Sequence, residues 1–251
     1  MKPETKYIEY SGDITTNGYK LVCFSFAGGG ASHYAKWNEH MPAIEVLPVQ
    51  LPGRENRIKD EPYRKSEELT EKIVNEIAPY LQSRNFSVFG HSMGGVLAFE
   101  VVKKLEKRNL FPDICFISGT SICEYVKIRY AEKKTDDMND DEFIDMVSQF
   151  GAIDENNVLL KYPEIREIYM RVLRADFNVI ESYEQTDEKI NCPVAAMCGT
   201  DDPSETIETM HDWEKYTNAK VYYKEYSGDH FYLDDNLDEI CHDIMERTGK
   251  L

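Results

Sequence analysis

Long apolar runs are what this chain most plainly lacks. No stretch of about 18 consecutive apolar residues occurs, the length a membrane-crossing helix requires, so no transmembrane helix is expected. The opening Met1-Lys2-Pro3-Glu4-Thr5-Lys6 has no apolar core of the kind a secretory signal needs, and a cytoplasmic protein is expected. Cysteine pairs are missing too. Cys23, Cys115, Cys123, Cys192, Cys198 and Cys241 form no C-x-x-C motif, and Cys23, Cys115 and Cys198 lie inside apolar runs. Buried free thiols are expected, not a zinc site or a disulfide framework. Positive charge is scarce: 29 Lys and Arg face 46 Asp and Glu, for a formal charge of −17. Such a chain repels polyanions, which argues against nucleic acid and anionic membrane as partners. Neither G-x-G-x-x-G nor a Walker lysine-serine pair is present, so Gly28-Gly29-Gly30 does not read as a phosphate cradle. No cofactor and no metal are expected. Internal repeats and low-complexity linkers are absent as well.

What is present suits one domain spanning 1–251, with 41% hydrophobic residues. Six apolar segments read as buried strands: 20–26, 46–51, 86–90, 113–119, 193–199 and 221–226. Most are apolar throughout, as in a parallel sheet covered on both faces. Helical patterns lie between them. Leu69, Ile73, Ile77 and Leu81 recur every four residues after Ser66, a candidate N-cap. Further patterns run from Met93 to about Lys107, from near Pro203, and over 237–245. This alternation predicts a mostly parallel, doubly wound α/β sheet. One connection is too long. Residues 120–192 separate two expected strands, whereas a βαβ unit takes about 30 residues in total. Helical patterns at 140–150 and 163–183 fill it, the second with Ile165, Ile168, Val172, Leu173 and Phe177 as apolar residues. Residues 121–190 therefore read as an inserted helical lid beside the carboxyl ends of the strands.

Chemistry concentrates at Gly90-His91-Ser92-Met93-Gly94, which sits between an apolar strand and an apolar helix. G-x-S-x-G in that context is a nucleophile elbow. The tight turn leaves no room for flanking side chains, and the new helix aims its first N–H groups at the serine, where an oxyanion would form. A serine needs a base. In this arrangement acid and base follow the serine in the chain, the base last. Of His211, His230 and His242, the first and last lie in helical patterns. His230, in Ser227-Gly228-Asp229-His230-Phe231, lies just past the final strand and is the expected base. Asp201 and Asp202 both follow the strand at 193–199, and spacing does not separate them as the acid. The backbone N–H groups of Met93 and of the loop Phe26-Ala27-Gly28-Gly29-Gly30 are the expected oxyanion donors.

Several blocks, in order, resemble the type II thioesterases of nonribosomal peptide and polyketide synthesis, a family within the α/β-hydrolases. Phe24-Ser25-Phe26-Ala27-Gly28-Gly29 resembles the F-P-x-A-G-G loop, with Ser25 at the proline position. Gln50-Leu51-Pro52-Gly53-Arg54 resembles Q-L-P-G-R, and Gly90 to Gly95 resembles G-H-S-x-G-G. Leu173-Arg174-Ala175-Asp176-Phe177 resembles the lid helix L-R-A-D-F. Gly199-Thr200-Asp201-Asp202-Pro203 resembles G-x-x-D-P, and Gly228-Asp229-His230-Phe231 resembles G-G-H-F, with Asp229 for glycine. The resemblance implies an α/β-hydrolase fold with a helical lid, and a triad of Ser92, His230 and Asp202. It implies Ala27 and Met93 as the oxyanion donors. It further implies a free-standing editing enzyme that hydrolyses acyl thioesters from the phosphopantetheine arm of carrier proteins. Residues 121–160 carry little of the resemblance.

Carrier proteins of this kind are acidic by the same resemblance, so a local basic or apolar patch is needed against the net charge. Arg54, Arg57, Lys59, Arg64 and Lys65 are candidates for part of it, against the favoured reading of these residues as a solvated loop. A monomer is expected. An oxygen-ester hydrolase shares the same triad and fold, and a cyclase would release macrocycles instead of acids. A non-catalytic receptor is the reading from another class, and it has no need of all three triad residues.

Overall fold

The computed structural model describes residues 4–9, 15, 17–82, 85–122, 132–149 and 162–251. Its centre is a six-stranded sheet in which every neighbouring pair is parallel: β1 (Tyr19–Phe24), β2 (Ile44–Pro48), β3 (Phe86–His91), β4 (Cys115–Ser118), β5 (Val194–Gly199) and β6 (Val221–Tyr226). The strand order is β2-β1-β3-β4-β5-β6. Between them lie α1 (Trp37–His40), α2 (Ser66–Ile77), α3 (Met93–Glu106), α4 (Asp140–Gln149), α5 (Pro163–Glu181) and α6 (Ile207–Met210), and α7 (Leu237–Thr248) follows β6.

Side chains alternate across each strand, and the two faces feed two separate cores. Val22 and Phe24 of β1 pack with α2, α3 and α5. Tyr19, Leu21 and Cys23 pack on the other face with Trp37 of α1 and with Ile240, Cys241 and Ile244 of α7. The sheet is thus doubly wound, as expected, and α3 is buried almost all round because it lies between the sheet and α2. Cys23, Cys115, Cys192, Cys198 and Cys241 are free and buried; Cys123 lies outside the described residues. No helix among them is long and apolar enough to cross a membrane.

Several boundaries depart from the sequence reading. β2 begins at Ile44, before Glu45, because an edge strand tolerates a charge, and Glu45 pairs with Lys20 of β1 at 3.7 Å. β1 stops at Phe24, where the chain enters a turn. β6 is not a buried strand: of its residues only Tyr226 is buried, since it forms the other edge. Ser66 does not cap α2. It is the first helical residue, and its N–H donates instead to Ser182 Oγ at 2.8 Å, just past the end of α5. α6 starts at Ile207, capped by Thr206, and not near Pro203. The residues between are spent on a carboxylate turn described below.

Within the expected lid, 123–131 and 150–161 lie outside the described residues. The rest is held as one piece. Arg174 of α5 donates to Thr135 O at 2.6 Å, Met138 O at 3.0 Å and Asp140 at 2.9 Å, and stacks over the Phe143 ring of α4. Leu173 and Phe177 are buried, as the periodicity predicts, but Ile165 and Ile168 are 44% and 39% exposed. The apolar stripe therefore leaves the core in the first turns of α5.

Candidate active site

The order β2-β1-β3 places a switch in chain direction between β1 and β3, and a crevice opens outside the carboxyl ends of strands at such a point. The loops after both strands meet there. Ser92 stands between β3 and α3 with φ 54° and ψ −122°, a strained conformation for a side chain other than glycine. It is held by its N–H to Ser118 O and by its carbonyl, which accepts Gly95 N–H, both at 2.8 Å. A Cβ on Gly90 would lie 2.0 Å from Gly94 O, and one on Gly94 would lie 2.2 Å from Phe24 O. The elbow closes only with bare backbone at both positions, and this closure brings the end of β1 against the first turn of α3.

Asp202 follows β5, and His230 follows β6; they are 6% and 4% exposed. His230 Nδ1 lies 2.7 Å from Asp202 Oδ2. The other carboxylate oxygen accepts Ser204 N–H at 2.9 Å, Ser204 Oγ–H at 3.0 Å and Glu205 N–H at 3.1 Å. Burial alone would raise the Asp202 pKa, but the hydrogen bond and charge of His230, with the two N–H groups, hold it below the ordinary carboxylate value. An ionised Asp202 accepts, so the Nδ1 that faces it is the donor and Nε2 is the ring nitrogen left to face a substrate. Asp201 does not reach His230. It is exposed, and its carboxylate touches Thr200 Oγ1 at 3.2 Å. Asp229 turns back on its own loop and accepts Phe231 N–H at 2.8 Å. His211 and His242 are exposed, with His211 stacked on Tyr223 at 4.3 Å.

Beneath His230 lies a buried shelf. The rings of His91 and His230 are 5.1 Å apart. His91 Nδ1 meets Ser118 Oγ at 2.8 Å, and Ser118 Oγ meets the Tyr232 hydroxyl at 2.5 Å. Burial first, then the nearby His230 and His33, push the His91 pKa well below its ordinary value. His91 is therefore a neutral wall of the site.

The loop after β1 turns at Phe26–Gly29, closed by Gly29 N–H to Phe26 O at 3.0 Å. Gly28, at the third position, has φ 79°, which a type II turn demands. Among the described residues, neither the Ala27 nor the Met93 N–H is taken by an internal acceptor.

Two features escaped the sequence reading. Asp176 of α5 forms a buried two-pronged ion pair with Arg54, at 2.7 and 2.8 Å, and also accepts Gly28 N–H at 2.7 Å. Glu205, fully buried, accepts the N–H and Oγ–H of Ser121 at 2.7 and 2.8 Å, tying the start of the long insertion to the Asp202 loop. Asp176 had a signal: a carboxylate on the helix face shared with Val172, Leu173, Val179 and Ile180 requires a buried partner. The ion pair also removes Arg54 from the candidate basic patch. Arg54 is inside, not on the surface; Arg57 is bound to Asp60, Arg64 to Asp136 and Lys65 to Glu68. Among the described residues no group of three or more His, Cys, Asp or Glu is placed to hold a metal ion.

Residues 19–248 match the family model of the thioesterase domain. The thioesterase PikA5 of Streptomyces venezuelae is 32% identical over 230 residues, which cover 90% of this chain and 80% of the relative. The gramicidin S biosynthesis protein GrsT of Aneurinibacillus migulanus is 34% identical over 217 residues, covering 85% of this chain and 82% of the relative. Among solved structures, YbtT, a type II thioesterase from the yersiniabactin pathway, superposes with a TM-score of 0.78 at 26% identity, over 93% of this chain and 94% of that one. By the family model over most of its length and by relatives above 30% identity, the chain belongs to the thioesterase family, resembles its type II members, and is a thioester hydrolase of the α/β-hydrolase fold.

Proposed function

We propose that the chain removes acyl groups from the phosphopantetheine arm of carrier-protein domains, as a free-standing editing enzyme of a nonribosomal peptide or polyketide synthase. Ser92 is the nucleophile, His230 the general base, Asp202 its orienting acid, and the N–H groups of Ala27 and Met93 the oxyanion hole. The observation that carries this reading is the buried 2.7 Å bond from His230 to Asp202, with the His230 ring 5.1 Å from that of His91, the neighbour of the strained Ser92. The relatives named above, from peptide and polyketide pathways, support the choice of substrate.

Ser92 Oγ adds to the thioester carbonyl carbon while its proton passes to His230 Nε2. The imidazolium is stabilised by Asp202, which stays ionised. The carbonyl oxygen becomes an oxyanion facing the two N–H groups. Collapse expels the pantetheine sulfur, which takes the proton from His230. A thiolate leaves readily, so this protonation is less demanding than for an amide. Water then gives a proton to His230 and adds to the acyl-serine ester. Collapse returns Ser92 Oγ with that proton and releases the free acid.

The test is hydrolysis of an acetyl-loaded carrier protein beside acetyl-CoA and a p-nitrophenyl ester, with Ser92→Ala as control. Carrier-protein turnover well above the other two, lost in the variant, is expected. Faster ester cleavage with an idle carrier protein would replace this reading with an oxygen-ester hydrolase.

A further inference from the structure

Asp176 is 2% exposed and lies more than one hundred residues from Gly28 in the chain, yet it is bonded to the turn that carries Ala27. Tyr169, Leu173 and Asp176 share one face of α5, at helical spacing, and the first two lie against Gly28, whose added Cβ would meet Tyr169 Oη at 3.1 Å and Leu173 Cδ1 at 3.2 Å. Arg54 closes the arrangement: besides both Asp176 oxygens, it donates to Gly29 O at 2.9 Å.

These bonds act on the peptide groups flanking Ala27. The group before it carries the Ala27 N–H, and its Phe26 carbonyl is fixed by Gly29 N–H. The group after it is fixed by Gly28 N–H to Asp176. With both planes set, the direction of the Ala27 N–H is set. Apolar packing would attach a helix to a loop as well as this ion pair does, because charges this deep lose much of their hydration. Packing would not orient a peptide plane.

We infer that Asp176, with Arg54, is a positioning residue for the oxyanion hole: it holds the Ala27 N–H in its working direction, so the hole is complete only while α5 is seated. This rests on the proposed role of Ala27. The insertion thereby does more than cover the crevice. An N–H that must meet an oxyanion within hydrogen-bond range is sensitive to small rotations of its peptide plane.

The test compares Asp176→Asn, Arg54→Lys and Ser92→Ala with the parent on butyryl-CoA and on p-nitrophenyl butyrate. The affinity of an alkyl trifluoromethyl ketone, which forms a tetrahedral oxyanion on the serine, is measured in parallel. Asn keeps an acceptor for Gly28 but loses the charge that holds Arg54; Lys keeps the charge but cannot span both carboxylate oxygens and Gly29 O. For each, kcat is expected to fall by about 10- to 100-fold with KM within about 3-fold, part of the loss seen when an oxyanion donor is removed outright. Ketone affinity falls by the same factor as kcat/KM. Folded variants with kcat and ketone affinity within about 2-fold of the parent would overturn the inference. A drop in melting temperature with unchanged kcat per titrated active site would overturn it too, as the pair would then be structural only. If one variant fails to fold, the other carries the test. Turnover surviving in Ser92→Ala would instead overturn the functional reading beneath it.

Discussion

The two sides of the candidate site are built by different physics. Ser92, Asp202 and His230 stand just past the ends of β3, β5 and the edge strand β6, held by glycine contacts at the elbow, by N–H groups converging on the Asp202 carboxylate, and by that carboxylate's bond to His230. The turn carrying Ala27 is held from afar by two charged side chains, on the loop after β2 and on α5. The strand-borne side is rigid because its alternatives clash. The other side is rigid only while an ion pair persists. Under the roles proposed above, such a division keeps the residues of the first side in fixed register and makes the oxyanion hole conditional on the insertion.

The largest effects are expected on the strand-borne side. Ser92→Ala should abolish thioester turnover, a loss of about 10⁴-fold or more, with melting temperature little changed because Ala keeps the Cβ that bears the strain of the positive φ. Asp202→Asn should cost about 10³- to 10⁴-fold in kcat, as the amide no longer selects the tautomer with a free Nε2. Equal losses from Asp202→Asn and Asp201→Asn, measured on the same ester, would break the assignment of Asp202 as the partner of His230. Gly199→Ala comes next. Its Cβ would lie 2.3 Å from Asp229 O and 2.4 Å from Gly228 O, so the loop bearing His230 must move away from the loop bearing Asp202. A loss of about 10- to 100-fold in kcat is expected for such misplacement, along with a lower melting temperature. Unchanged kinetics would show that these loops are not rigidly registered, and would erase the contrast between the two sides.

That contrast also explains what was legible in the sequence. Backbone-determined features leave local marks. The glycines around Ser92, the apolar strand before it, and a histidine and aspartate just past strand ends were all readable from neighbours in the chain. Features made by long-range polar pairs leave weaker marks. Arg54 read as surface charge because nothing local to it says that Asp176 waits across the crevice. β6 read as buried because composition does not reveal which strand becomes an edge. Ser66 read as a cap because a serine before an amphipathic run usually is one; Ser182, arriving from another helix, took over the N–H.

The smallest effect concerns His91, the neutral wall between the two sides. Unfolded, His91 accepts a proton near its ordinary value of 6.5; folded, burial and the charges of His230 and His33 let it do so only well below that. Between those limits the unfolded chain binds one more proton. Stability therefore rises with pH across this window and is lost as pH falls below about 6.5, at up to about 1.4 kcal/mol per pH unit from this group. His33, also lowered by burial, contributes in the same direction, so the informative quantity is a difference. His91→Asn keeps a side-chain group able to reach Ser118 and removes the titration. Urea midpoints from about pH 5 to 7.5 should show a shallower acid limb in the variant than in the parent, whatever its stability at neutral pH. Parallel limbs would mean that His91 takes its proton in the folded state as easily as in the unfolded one. The wall beside His230 would then be able to carry charge, and the rigid side of the site would be electrostatically softer than its packing suggests.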